Sequence, residues 1–231
     1  VEPIRIQSFV AAEPAAVWQR LLGRPDVVLD ALPVRAWPTQ REEHAPSRLA
    51  VRWPFGGGGK ATTTVQIALV PVSGGTRLDL RHDGWQEEPG WQDAVAGHFA
   101  GWLQALAALG LLVETSRDPR PVNAALAGRE RYFASADIPA GGDAVYRALV
   151  DPEVLMRWND GALAEAELIE SLEGRFARWR LPGAQPAREL VVILRHTPRG
   201  THCALAEYGV VDRSASARWP KMLERLAGFL R

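Results

Sequence analysis

The chain has 231 residues, long for one compact domain and comfortable for two of roughly 100–150 residues each. Apolar residues make up 47% and 27 basic residues balance 27 acidic ones. That excludes a disordered chain and leaves no electrostatic reason to expect nucleic acid or an acidic membrane surface. Cys203 is the only cysteine, which excludes an intrachain disulfide and a thiolate cluster for zinc or iron–sulfur, and fits a reducing cytoplasm.

No apolar run approaches the roughly 18 residues of a membrane span, so membrane insertion is not expected. The longest candidate, Leu103–Val113, reads as an amphipathic helix. No signal-peptide pattern opens the chain. Lys60 and Lys221 are its only lysines; with abundant Ala, Gly and Pro, this suggests a GC-rich bacterial genome.

In chain order, a strand over Ile4–Val10 leads into a helix over Pro14–Leu22 and a second helical turn after Pro25. Strands follow at Val34–His44, Leu49–Phe55, Thr62–Val70 and Thr76–Gly84, and a long helix at Trp91–Val113. Asp118-Pro119-Arg120-Pro121 then breaks regular structure. The same series returns: a strand at Arg131–Ile138, a helix at Gly142–Val150 and a turn after Pro152. The strands Ala164–Ser171, Arg175–Leu181, Arg188–His196 and Thr201–Gly209 precede a helix at Ala215–Arg231. Strands and then a long helix, without βαβ alternation, indicate an α+β fold with an antiparallel sheet.

The order repeats because the sequence does. Ala16-Val17-Trp18-Gln19-Arg20-Leu21-Leu22 resembles Ala144-Val145-Tyr146-Arg147-Ala148-Leu149-Val150, and the proline–acid steps Pro25-Asp26 and Pro152-Glu153 follow. Gly75-Thr76 and Gly200-Thr201 each open a strand, and Trp102, Leu106 and Leu109 share their spacing with Trp219, Leu223 and Leu226. The expected domains are 1–115 and 129–231, with 116–128 as linker. Alternation sets Leu69 opposite Leu78, Ile67 opposite Leu80 and Val65 opposite His82. In the second half it sets Leu194 opposite Cys203, Val192 opposite Leu205 and Leu190 opposite Glu207. The stripe Trp91, Val95, His98, Phe99, Trp102, Leu106, Leu109 and Val113 must cover the sheet's apolar face. A sheet curling around such a helix is where an apolar cavity forms.

Thr76-x-Leu78-x-Leu80-x-His82-x-Gly84, followed by Gly101-Trp102 and by leucines running to Val113-Glu114, resembles the closing signature of the heat-shock-protein-90 ATPase activator homologue-like family. Val145-Tyr146-Arg147-Ala148-Leu149, Asp151-Pro152-Glu153 and Trp158 resemble its opening signature. That family lies in the START-like superfamily, also called SRPBCC or Bet v 1-like. The resemblance implies two tandem helix-grip domains, each a sheet wrapped around its final helix, and a cavity for lipids, polyketides or other apolar molecules. The two copies depart from the pattern: the first lacks a counterpart of Trp158, and the second has Glu207 where the family-like histidine would stand. The activator's additional N-terminal domain is not recognisable, because the first half reads as another helix-grip copy.

Polar groups on the inward faces are the candidates for function. His82 and His98 converge on the apolar interior of the first half and could orient a ligand carbonyl or move protons; inert packing histidines are the favoured alternative. Glu207, with Arg188 as its diagonal neighbour across the hairpin, could anchor a polar ligand group or form a structural ion pair, which is favoured. Trp18, Trp53, Trp102, Trp179 and Trp219 fall at core-facing positions, and aromatic walls also suit a flat ligand. The candidate ligand-binding residues are thus His82, His98, Trp53, Phe99 and Trp102 in the first half, with Glu207, Arg188 and Trp179 in the second. Cys203 reads as an inert core thiol. Gly56-Gly57-Gly58-Gly59-Lys60 is no phosphate loop, since Ala61 stands where Ser or Thr is required and a strand follows. Catalytic metal, serine-hydrolase and cofactor motifs are not found. Non-catalytic binding of a small apolar molecule is the first reading. An aromatase/cyclase-like enzyme using His82 and His98 is the second, and a chaperone- or protein-binding module the third.

Overall fold

A computed structural model describes residues 2–32, 34, 36–55, 61–88, 90–126, 131–159, 161, 163, 165–183, 188–209 and 214–231. The glycine-rich segment Gly56–Lys60 lies outside these. The chain divides into two compact units, Val1–Asp118 and Pro119–Arg231.

The first unit contains β1 (Ile4–Val10), α1 (Pro14–Gly23), α2 (Pro25–Val28), β2 (Arg41–His44), β3 (Arg48–Phe55), β4 (Ala61–Val72), β5 (Gly75–Asp83) and α3 (Trp91–Thr115). Its strands form one antiparallel sheet in the order β1-β5-β4-β3-β2. The second unit repeats this with β6 (Arg131–Ile138), α4 (Gly142–Val150), α5 (Pro152–Trp158), β7 (Glu167–Leu172), β8 (Phe176–Leu181), β9 (Arg188–Thr197), β10 (Gly200–Tyr208) and α6 (Ala215–Phe229). Its sheet order is β6-β10-β9-β8-β7. Each unit is an α+β helix-grip fold. Both hairpin registers are those the alternation predicts: Leu69, Ile67 and Val65 face Leu78, Leu80 and His82, while Leu194, Val192 and Leu190 face Cys203, Leu205 and Glu207.

The repeated Gly-Thr pair has a physical reason in both units. A Cβ on Gly75 would meet the Val10 carbonyl oxygen at 2.2 Å, and one on Gly200 would meet that of Ile138 at 2.2 Å. Only glycine lets the first strand's end approach so closely. The buried threonine that follows donates its hydroxyl to the chain just past that strand, Thr76 to Ala12 O at 2.6 Å and Thr201 to Ala140 O at 2.7 Å. Within α6, Pro220 withdraws the N–H that would reach the Ser216 carbonyl, and the Tyr132 hydroxyl donates there at 3.3 Å.

Some elements differ from expectation. The strand expected over Val34–His44 is only Arg41–His44, because Trp37 turns inward, 6% exposed, and fastens its indole N–H to Leu21 O at 2.9 Å. Trp158 does the same in the second unit, donating to Ala148 O at 2.8 Å. Trp37 thus makes in the first unit the same kind of indole-to-carbonyl bond, at a different spacing from that of Trp158. The strand expected from Ala164 begins at Glu167; residue 164 itself lies outside the described residues. By length and composition α3 could cross a membrane, with a mean hydropathy of 1.5 over its best window, but 67% of that window is buried within the protein.

The segment after α3 is no free spacer. Ser116 caps the helix in the left-handed region (φ 58°). Beyond it, the Glu189 carboxylate on the outer face of β9 accepts from Val122 N at 2.9 Å and Asn123 N at 3.0 Å. Arg178 donates to Arg120 O at 2.6 Å and is itself held by Glu170. A short 3-10 turn follows at Ala124–Leu126.

Candidate functional site

In the first unit β5 presents His82 to the helix, and α3 answers with Trp102 and His98. His82 is fully buried. Trp102 Nε1 lies 3.1 Å from His82 Nδ1, and Thr63 Oγ1 lies 2.7 Å from His82 Nε2. An indole N–H can only donate, so Nδ1 is the acceptor and the proton sits on Nε2, pointed at the Thr63 hydroxyl. Thr63 passes its own proton toward Trp53 O at 3.5 Å. The chain of donors runs helix to histidine to threonine to backbone, and it fixes one neutral tautomer. Burial, with His98 nearby as a lesser cause, lowers the pKa of His82 to about 3. His98 is lowered too, chiefly by burial, although its Nδ1–H donates to Ala94 O at 2.8 Å.

Around this relay stands a box of rings. Trp53 is fully buried and packs against Trp102 at 5.2 Å between centroids, His82 at 6.0 Å, Trp37 at 6.3 Å and His98 at 6.4 Å. Trp85 lies 4.2 Å from His82 and donates its indole N–H to His82 O at 2.9 Å. Trp53 Nε1 is a buried donor with no hydrogen-bond partner among the described residues.

The second unit builds the same anchor with different chemistry. Glu207 occupies the position of His82, fully buried, and Trp219 on α6 donates its indole N–H to Oε2 at 2.6 Å, as Trp102 does to His82. Arg188 reaches Oε1 at 3.0 Å, the predicted diagonal pair. Arg218 adds bonds at 3.1 and 3.4 Å and lies over the Trp219 ring at 4.6 Å. Trp179 is on the inner face of β8, 3% exposed and part of the apolar core.

The structure therefore gathers His82, His98, Trp53 and Trp102 in one place, and Glu207 with Arg188 in the other. Phe99 is the exception: it is 43% exposed and lies outside the box. One step along the helix turns it about 100° from His98, and the inward positions are Trp91, His98, Trp102, Ala105 and Leu109. Phe99 lines an open groove of about 520 Å³ with Pro3, Ile4, Val95 and Ala96. Thr63 escaped the sequence reading, although the diagonal rule that pairs Arg188 with Glu207 also selects Thr63 for His82, two residues beyond Val65. Trp37, Trp85 and Arg218 carried no such signal. Cys203 is buried and its thiol pushed up to about 12 by burial, which leaves it unreactive. No group of His, Cys, Asp and Glu able to hold a metal occurs among the described residues.

Residues 35–114, within the first unit, match the model of the family described as activator of Hsp90 ATPase homolog 1-like protein. No curated protein matches the sequence. Among solved structures, DynU16, a protein of the dynemicin biosynthetic locus, is 19% identical, with 100% of this chain and 96% of that chain covered and a TM-score of 0.44. The di-domain ARO/CYC StfQ from the steffimycin biosynthetic pathway is 9% identical over 98% of both chains, with a TM-score of 0.37. CalU16 from Micromonospora echinospora is 19% identical over 43% of this chain and 75% of its own, with a TM-score of 0.38. At that similarity no residue's role transfers.

Proposed function

We propose that this chain binds a small, largely apolar molecule bearing a hydrogen-bond acceptor, and that it does so without transforming it. Binding is placed in the first unit, between the sheet and α3. The observation that carries the reading is Trp53, whose indole N–H is buried among rings yet lacks an acceptor among the described residues. Buried indole donors ordinarily have a partner, and leaving one unmade costs about 1–3 kcal/mol. A ligand carbonyl or ether oxygen would remove that cost, while the surrounding rings would take up the apolar remainder.

Proton-transfer catalysis by His82 draws no support from this geometry. Both its nitrogens are committed, and a base with a pKa of about 3 is far from the range suited to acid–base work near neutrality. The reading can be checked by tryptophan fluorescence and thermal shift with 1-tetralone, anthrone and the hydrocarbon tetralin. The ketones should raise the melting temperature. Trp53→Phe, which keeps a ring and removes the donor, should weaken 1-tetralone binding about tenfold and leave tetralin unaffected. Ketones that shift nothing, or that bind the variant as well as the parent, would remove the proposal.

A further inference from the structure

The second unit's anchor carries more positive charge than its own carboxylate balances. Arg188 and Arg218 both converge on Glu207, and neither has another acidic partner among the described residues. Of the five N–H donors a guanidinium offers, Arg188 engages one, through Nη1. Arg218 divides one nitrogen between the two oxygens of the same carboxylate and reaches Ser214 Oγ only at 3.4 Å. The Nε atoms of both arginines are buried without an acceptor among the described residues. Among the described residues, two guanidiniums against one carboxylate leave a unit of positive charge in a largely desolvated place, and such charge is costly unless complemented.

The side chains nevertheless keep a way out to solvent. Glu207 is closed off at 0% exposure, while Arg188 and Arg218 retain 17% and 26% of their side-chain surface. Both are also held in place. Arg218 is stacked on Trp219, and Arg188 packs against Gly209, where a Cβ would meet Arg188 Cγ at 3.1 Å. Fixed, under-engaged guanidinium forks suit a planar pair of oxygens.

We infer that Arg188 and Arg218 form a subsite for an organic carboxylate, with Glu207 serving to position the two arginines and not to contact the ligand. The site belongs to the second unit, and its fate is separate from that of ligand binding at Trp53. It also gives Glu207 an unusual signature: removing its charge should strengthen anion binding, whereas a purely structural ion pair would show no anion affinity to strengthen.

The test uses the full chain at low ionic strength, with benzoate and its neutral isostere benzamide as probes, followed by the arginine Nε–H resonances and by calorimetry. Benzoate should bind saturably and move the Nε–H signals of Arg188 and Arg218, and benzamide should do neither. Arg218→Gln, whose neighbourhood is partly exposed, should cut benzoate affinity at least tenfold while retaining the melting transition. Glu207→Gln, which keeps an acceptor for Trp219, should raise benzoate affinity severalfold. Equal binding of the two probes, no benzoate binding, or unchanged affinity in Arg218→Gln would each overturn the assignment. Should Glu207→Gln fail to fold, the Arg218→Gln comparison and the resonance shifts still decide the matter.

Discussion

A histidine held between a donor-only indole and a threonine hydroxyl has nowhere to put a second proton. His82 carries an ordinary pKa of 6.5 when unfolded and about 3 when folded. Its neutral form is thus favoured by folding, and its stabilising contribution is complete above pH 6.5. That contribution is lost progressively as pH falls from 6.5 toward 3. At pH 4.5 the loss should reach about 2–3 kcal/mol, taking roughly 1.4 kcal/mol per unit, and it can be followed by urea unfolding at a series of pH values. His82→Gln should flatten this acid limb relative to the parent; equal acid sensitivity in the two would dispose of the account. At this scale the sequence was half legible. Alternation placed His82 and Glu207 on the inner faces and found Arg188, because those depend on the period of a strand. Arg218 and Trp37 depend on how a helix end or an irregular segment comes back to the sheet, which no local period encodes.

Among elements, α3 shows how packing overrides propensity. Gly101 sits mid-helix, where alanine would ordinarily be favoured by about 1 kcal/mol. A Cβ there would meet Ala31 O and Leu32 Cδ2, each at 2.8 Å, and one of those is backbone that follows α2. Gly97, one turn earlier and exposed, has nothing within 4 Å. Gly101→Ala should therefore destabilise by about 1–3 kcal/mol, and Gly97→Ala should stabilise by up to about 1 kcal/mol, as read from denaturant midpoints. Two substitutions of one kind in one helix, with opposite signs, leave little room for a propensity explanation; a stabilising Gly101→Ala would refute the close approach. Strand positions were legible because two-residue alternation is strong in β4 and β5, while β9 and β10, buried along most of their length, were legible as apolar runs repeating the same order. The element that failed was β2, where an alternating run was broken by Trp37 burying itself instead of continuing the edge.

On the scale of the whole molecule, the duplication was readable because each repeated block performs a physical task twice. The Gly-Thr pair admits and ties the first strand, and the helix tryptophan donates to the polar residue of the last strand. The divergence at the anchor was legible as Glu207 in place of a histidine; what stayed hidden were the partners Thr63 and Arg218, which make one anchor a neutral relay and the other a charged cluster. The chain between the units was legible as irregular but not as fastened, since its grip comes from Glu189 and Arg178 on strands far away in sequence. A segment clamped by its own amides behaves as part of the second unit's fold. Deuterium should enter the Val122 and Asn123 amides slowly, against the rapid labelling expected of a proline-broken loop, and Glu189→Gln should accelerate it about tenfold. Labelling at loop rates in the parent protein would show the clamp to be open in solution.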